Sequence, residues 1–115
     1  MTVKLLTLNE PTLNGNIYPT DVVKAAIEEY LAKGKPIMVQ RHFTGEVDVN
    51  LENVCGTVED LVYEDNALLG TLKMFPGEEA MLGLAVRPSF LGSINPDRTI
   101  SDLVLLSFNF TADPA

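Results

Sequence analysis

Val54-Cys55-Gly56-Thr57-Val58-Glu59-Asp60-Leu61-Val62-Tyr63, then Glu64-Asp65-Asn66, then Ala67-Leu68-Leu69-Gly70-Thr71-Leu72 is the stretch on which the fold turns. Val54, Val58, Leu61 and Val62 give residues 53–63 the apolar, β-branched character of a strand. Glu64-Asp65-Asn66 supplies side chains that tolerate turn geometry, and the chain then returns as a second strand over 67–75. The expectation is a hairpin, with Gly70 marking a bulge or a close approach of neighbouring chain.

Downstream, Pro76-Gly77 breaks the second strand. Glu78-Glu79 ahead of Ala80, Met81, Leu82, Leu84 and Ala85 predicts a short acidic-capped helix that Arg87-Pro88 ends. Asn95-Pro96-Asp97-Arg98 is a turn signal, and Ile100 with the apolar run from Leu103 to Phe110 predicts a central strand. The tail from Thr111 to Ala115 has no pattern of its own. Upstream, Ile37-Met38-Val39 reads as a short buried strand. Before it, Val22, Val23, Ala26, Ile27, Tyr30 and Leu31 share one face of a helix over 20–32, with Pro19 in its first turn and Gly34 as its stop. A turn-rich loop over 9–18 links that helix to a first strand around Val3, Leu5, Leu6 and Leu8. The order is β, α, β-hairpin, short α, β, an α+β arrangement.

At 115 residues the chain has room for one domain, residues 1–115, with one modest core. Its 16 Asp+Glu against 8 Lys+Arg leave a net charge of −8, which argues against direct nucleic-acid binding. No apolar run reaches the length of a transmembrane helix, so no membrane role is expected, and the chain reads as soluble and made in a reducing compartment. Cys55 is the only cysteine and His42 the only histidine, which excludes an intrachain disulfide and any metal site needing several thiolates or imidazoles. Cys55 reads as a small buried apolar residue.

No glycine-rich phosphate loop and no GxSxG elbow occurs, and no cofactor is expected. Glu46, Asp48, Glu52, Glu59 and Asp60 lack the spacing of a calcium loop and read as a solvated acidic face. His42 follows a short strand, where it is either a locally bonded loop histidine or a general base. Ser89 and Ser93, with Ser101 and Ser107 further on, are the hydroxyls a base could activate.

The order of segments carries more. Leu13-Asn14-Gly15-Asn16-Ile17-Tyr18-Pro19 followed at once by an amphipathic helix resembles the "N-x-N/G-R-x-Y-P" segment of tailed-phage prohead (capsid maturation) proteases. His42, Val54-Cys55-Gly56-Thr57-Val58-Glu59-Asp60-Leu61, Leu68-Leu69-Gly70-Thr71-Leu72, Phe75-Pro76-Gly77 and Asp113-Pro114-Ala115 then fall in the order of that family's later segments, over residues 9 to 115. The resemblance implies a fold like the herpesvirus assembly proteases: a compact, mostly antiparallel or barrel-like sheet core with one main amphipathic helix and a second short one. It also implies a serine, a histidine and usually an acidic third residue, acting on scaffold and capsid proteins. His42 matches the family histidine.

The serine segment departs from the pattern: where the family has "G-V-S-S-R-G-x-G", this chain has Ala85-Val86-Arg87-Pro88-Ser89-Phe90-Leu91-Gly92. Arg87 and Pro88 stand at the serines, and Ser89 is reached only by a one-residue shift, which in a strand turns a side chain to the other face. Asn109 stands near the acidic position, and an amide cannot stabilise an imidazolium as a carboxylate does. The expectation is therefore a non-enzymatic tailed-phage virion protein, located in the phage head and made in the host cytoplasm. It would act as a decoration, cement or head-assembly protein on the major capsid protein or another virion protein, and as a homo-oligomer if self-paired. Leu13, Ile17, Phe43 or Phe90 would anchor apolar contacts, unless each is ordinary core. The rival is an active maturation protease with Ser89 as nucleophile, His42 as base and the backbone of 85–92 in the oxyanion site. A third reading is a scaffold or tail-assembly module.

Overall fold

A computed structural model of the chain describes residues 2–12, 14–42 and 49–111. Its elements are β1 (Thr2–Thr7), α1 (Thr20–Ala32), β2 (Ile37–Gln40), β3 (Val54–Glu64), β4 (Ala67–Met74), β5 (Ala85–Ile94) and β6 (Ile100–Thr111), with 3₁₀ turns at Leu51–Asn53 and Glu79–Gly83.

The expected hairpin is β3 and β4. Asp65 and Asn66 take φ of 50° and 58°, the left-handed pair of a two-residue turn whose twist matches that of the strands it joins. Between Glu59↔Thr71 and Val62↔Leu69 the register slips. Asp60 and Leu61 there face the single residue Gly70, and Asp60 adopts a φ of 50°, so the bulge sits in β3 and the glycine opposite it. A Cβ on Gly70 would lie 2.8 Å from both Leu5 Cδ1 and Val58 Cγ1. The glycine thus marks a bulge and a close approach together.

The six strands form one sheet in the order β1-β4-β3-β2-β6-β5. Neighbours run antiparallel except β2 and β6, which pair in parallel through Val39↔Phe108 and Gln40↔Asn109. The sheet curls until Cα atoms of its two edge strands, β1 and β5, come within 8 Å of each other, giving a half-barrel. Leu5, Ile37, Val39, Leu68, Leu72 and Phe108 belong to its buried core together with Val23, Ala26 and Ile27 of α1. The last strand is interior to the sheet, as its apolar run predicts, and Phe108 within it is fully buried.

The helix spans the expected residues, but its start is built differently. Pro19 occupies the position before the first helical residue and gives no side-chain cap. The cap comes from Asn9, whose Oδ1 accepts the Thr20 N–H at 3.0 Å while its Nδ2 donates to Thr20 Oγ1 at 2.8 Å. Asn9 also donates to Asn66 Oδ1 at 3.1 Å, so the hairpin turn holds the residue that caps the helix. The loop over 9–18 is pinned by Ile17, which donates to Arg98 O at 2.9 Å and accepts from Ile100 N at 2.9 Å. At the other end, Leu31 is 47% exposed, contrary to its place on the expected apolar face, because the last turns of α1 overhang a cavity rather than the sheet.

Two expectations need correction. The second helix is only the 3₁₀ turn Glu79–Gly83, with no buried residue to hold a longer helix against the core. Arg87-Pro88, expected to end that helix, lies instead inside the ten-residue strand β5. Among the described strands it pairs only with β6, and an edge strand tolerates a proline that a central one would not. Among the described residues the architecture is therefore mostly sheet with one α-helix, which the α+β description fits loosely.

Candidate functional site

The parallel pairing of β2 with β6 and the antiparallel pairing of β5 with β6 bring three distant segments to one face. Gln40 stands opposite Asn109, Arg87 opposite Asn109, and Ser89 opposite Ser107. Directly paired residues share a face. The alternating positions Val39, Phe108, Phe110 and Val86 belong to the core.

On this polar face Gln40, Asn53, Ser107 and Asn109 are all buried. Gln40 Nε2 donates to Ser107 Oγ at 3.1 Å and to Asn109 Oδ1 at 3.0 Å. Its Oε1 accepts from Asn50 N at 3.2 Å and from Asn53 Nδ2 at 3.5 Å. One amide thus ties β2 to β6 and to the segment preceding β3. Burying these groups costs free energy unless they are paired, and here they satisfy one another.

Asn53 Nδ2 also donates to the carbonyl of His42 at 2.8 Å, and Arg41 N donates to Asn53 O at 2.9 Å. The Arg41 guanidinium grips Glu78 through Nε at 3.0 Å and through a second, shorter bond from Nη2, and it donates to Glu52 O at 2.7 Å. The Arg41 hydrogen bond, helped by its charge, holds the Glu78 carboxyl below its ordinary pKa. The backbone is thus fixed on both sides just where the chain leaves β2. His42 itself is exposed. It lines a cavity of about 460 Å³ together with Arg87, Pro88, Asn109, Phe110 and Thr111.

That cavity joins His42 to Asn109 and to the two residues standing at the family's serines; Ser89 is not among its described lining. Register explains why. His42 lies two residues beyond Gln40, which is level with Asn109, while Ser89 is level with Ser107. Continuing the register puts them four residues apart along β6, roughly 13 Å at the rise of a strand. Ser107 Oγ is taken up by Gln40, and Ser101 Oγ donates to Asn95 Oδ1 at 3.4 Å. Cys55 is fully buried, its thiol 3.5 Å from Val39 O. Burial foremost, with the charge of Glu78, pushes that thiol above its ordinary pKa, which suits an inert core residue.

Sequence reasoning missed Gln40 and Asn53. The available signal was polar Ser107 and Asn109 inside the most apolar run of the chain, which calls for partners of matching polarity. Among the proposed anchors, Phe90 packs against the core and against Tyr18, with ring centroids 5.8 Å apart, and Ile17 is half-buried. Leu13, Phe43, Glu46 and Asp48 lie outside the described residues. Among the described residues no group of three His, Cys, Asp or Glu could hold a metal ion, and no helix is long and apolar enough to cross a membrane.

No protein-family model matches the sequence, and no curated protein matches it. Among solved structures the chain is similar to the capsid assembly protease gp21 of bacteriophage T4. The similarity covers 99% of this chain and 82% of that one, with a TM-score of 0.75 at 15% identity. At that identity the likeness is one of fold: the half-barrel is prohead-protease-like.

Proposed function

We propose that this chain, which carries the fold of a capsid assembly protease, works in the phage head as a non-catalytic binding protein, a decoration, cement or head-assembly component that contacts the major capsid protein or another virion protein. The observation that carries this reading is the His42 cavity, whose other described walls are Arg87, Pro88, Asn109, Phe110 and Thr111. Acyl transfer by a serine needs the hydroxyl beside the imidazole, a group that orients and stabilises the imidazolium, and N–H donors for the oxyanion. At the positions in question a guanidinium has no nucleophilic oxygen and proline has no N–H. The Asn109 amide is neutral and already serves Gln40. The −8 charge suits a surface that meets a basic protein lattice.

Two measurements test the reading together. Quantitative mass spectrometry of purified virions should find the chain at a fixed copy number per particle, and a fluorophosphonate probe should leave Ser89 unlabelled. Absence from particles and failure to bind capsids would sink the binding role. Labelling of Ser89 that disappears in His42→Ala would establish the maturation protease instead.

A further inference from the structure

Between the last turns of α1 and the bulged part of β3 lies a cavity of about 320 Å³, separate in its lining from the His42 cleft. Ile27, Leu31, Val58 and Leu61 give it an apolar lining, and Glu28, Glu59 and Asp60 add carboxylates. Leu31 is the apolar residue that the helix leaves 47% exposed. Glu59 has Lys73 at 4.0 Å, an ion pair exposed on both sides and therefore weak. Glu28 and Asp60 have no ion pair among the described residues, and Lys24 sits over the ring of Tyr63, another lining residue, at 5.8 Å.

We infer that this groove docks a basic, apolar segment of a partner protein, whose apolar side chains cover Leu31 and Leu61 while Lys or Arg residues meet Glu28, Glu59 and Asp60. Charge complementarity selects the occupant. Glu28 and Asp60, without an ion pair among the described residues, and Glu59, only weakly paired with Lys73, flank an apolar floor on a chain of net charge −8, so an acidic segment or a phosphate-bearing ligand is repelled twice, locally and by the whole molecule. The bulge makes the arrangement specific, because it sets Asp60 and Leu61 side by side opposite Gly70. The inference rests on the binding role proposed above and gives that role a surface.

The test uses fluorescence anisotropy with two short labelled peptides, one alternating Lys and Leu and one alternating Glu and Leu, at low and high salt. The intact chain should bind the Lys-Leu peptide and not the Glu-Leu peptide, and salt should weaken that binding. The variant Glu28→Gln/Glu59→Gln/Asp60→Asn should bind it about tenfold more weakly, as loss of three partly exposed charge contacts implies. Asparagine keeps the tolerance for positive φ that position 60 needs. Leu31→Ser, at an exposed site, should weaken binding with all charges intact, and it decides the matter if the triple variant does not fold. Glu10→Gln/Glu79→Gln/Asp102→Asn should bind like the intact chain.

Equal loss in that control, equal binding of both peptides, or no binding overturns the inference. So does sedimentation showing a dimer that the groove variant dissociates, since the occupant would then be a second copy. The peptide assay contains no phage particle, so its failure leaves the head role standing. Capsid binding that survives the triple variant sinks the groove alone.

Discussion

At the residue scale, Asn9 does work that its sequence neighbourhood does not announce. Its φ of 62° is in the left-handed region, and its side chain supplies the N-terminal cap of a helix eleven residues away. Asn9→Gly keeps the backbone freedom and removes the cap; Asn9→Ala removes both. Urea unfolding should show Asn9→Gly destabilised by about 1 kcal/mol and Asn9→Ala by about 1 kcal/mol more. Glu78 makes a second prediction. Its folded pKa lies below the ordinary value of 4.5 because of Arg41, so its stabilising contribution is present above 4.5 and is lost as pH falls through the lowered folded value. Glu78→Gln should be less stable than the intact chain at neutral pH, and thermal unfolding should show the gap closing in acid. A gap that stays constant from neutral to strongly acid pH would refute the role assigned to the pair.

Among the elements, the one most exposed to a single change is the junction of β2 and β6. Gln40→Leu keeps bulk but leaves the buried Asn109 Oδ1 and Ser107 Oγ without the amide that donates to them. Unsatisfied buried groups cost about 1–3 kcal/mol each, so urea unfolding should show a loss of at least about 2 kcal/mol. A loss below about 0.5 kcal/mol would mean that water replaces the amide. The contrast with the β3–β4 hairpin shows what a sequence makes legible. Asp65-Asn66 and the β-branched runs beside it contain their own turn and strand chemistry, and the helix over 20–32 contains its own period, so these elements could be placed. The role of Gln40 depends on a register set against residues 67 and 69 positions away, which no local pattern encodes. Strand β5 was hidden for a related reason: Pro88 reads as a stop until its place at the edge of the sheet is known. The same register decides that Ser89 and His42 stand at different levels, although His42 and the departures at Arg87, Pro88 and Asn109 could all be read in advance.

For the whole molecule, the sheet has a stretch of unequal strength. β1, β4, β3 and β2 form one antiparallel group, β6 and β5 another, and the described register joins the two through two residue pairs. Native-state hydrogen exchange should show the amides of β2 and the Phe108–Asn109 part of β6 losing protection at lower free energy than the centre of the β3–β4 hairpin. Uniform protection across the sheet would show that the amide network welds the two groups into one cooperative unit.

That narrow parallel seam also bears on how the molecule is made. The hairpins on either side close short loops and can form as soon as their own residues are available, whereas Val39 meets Phe108 from 69 positions away in the sequence. Closing so long a loop is entropically costly and slow. Until then each half shows a bare strand edge, so during synthesis the chain is open to pairing with a neighbouring copy, and β6, the last of the described strands, is also the one that latches the fold.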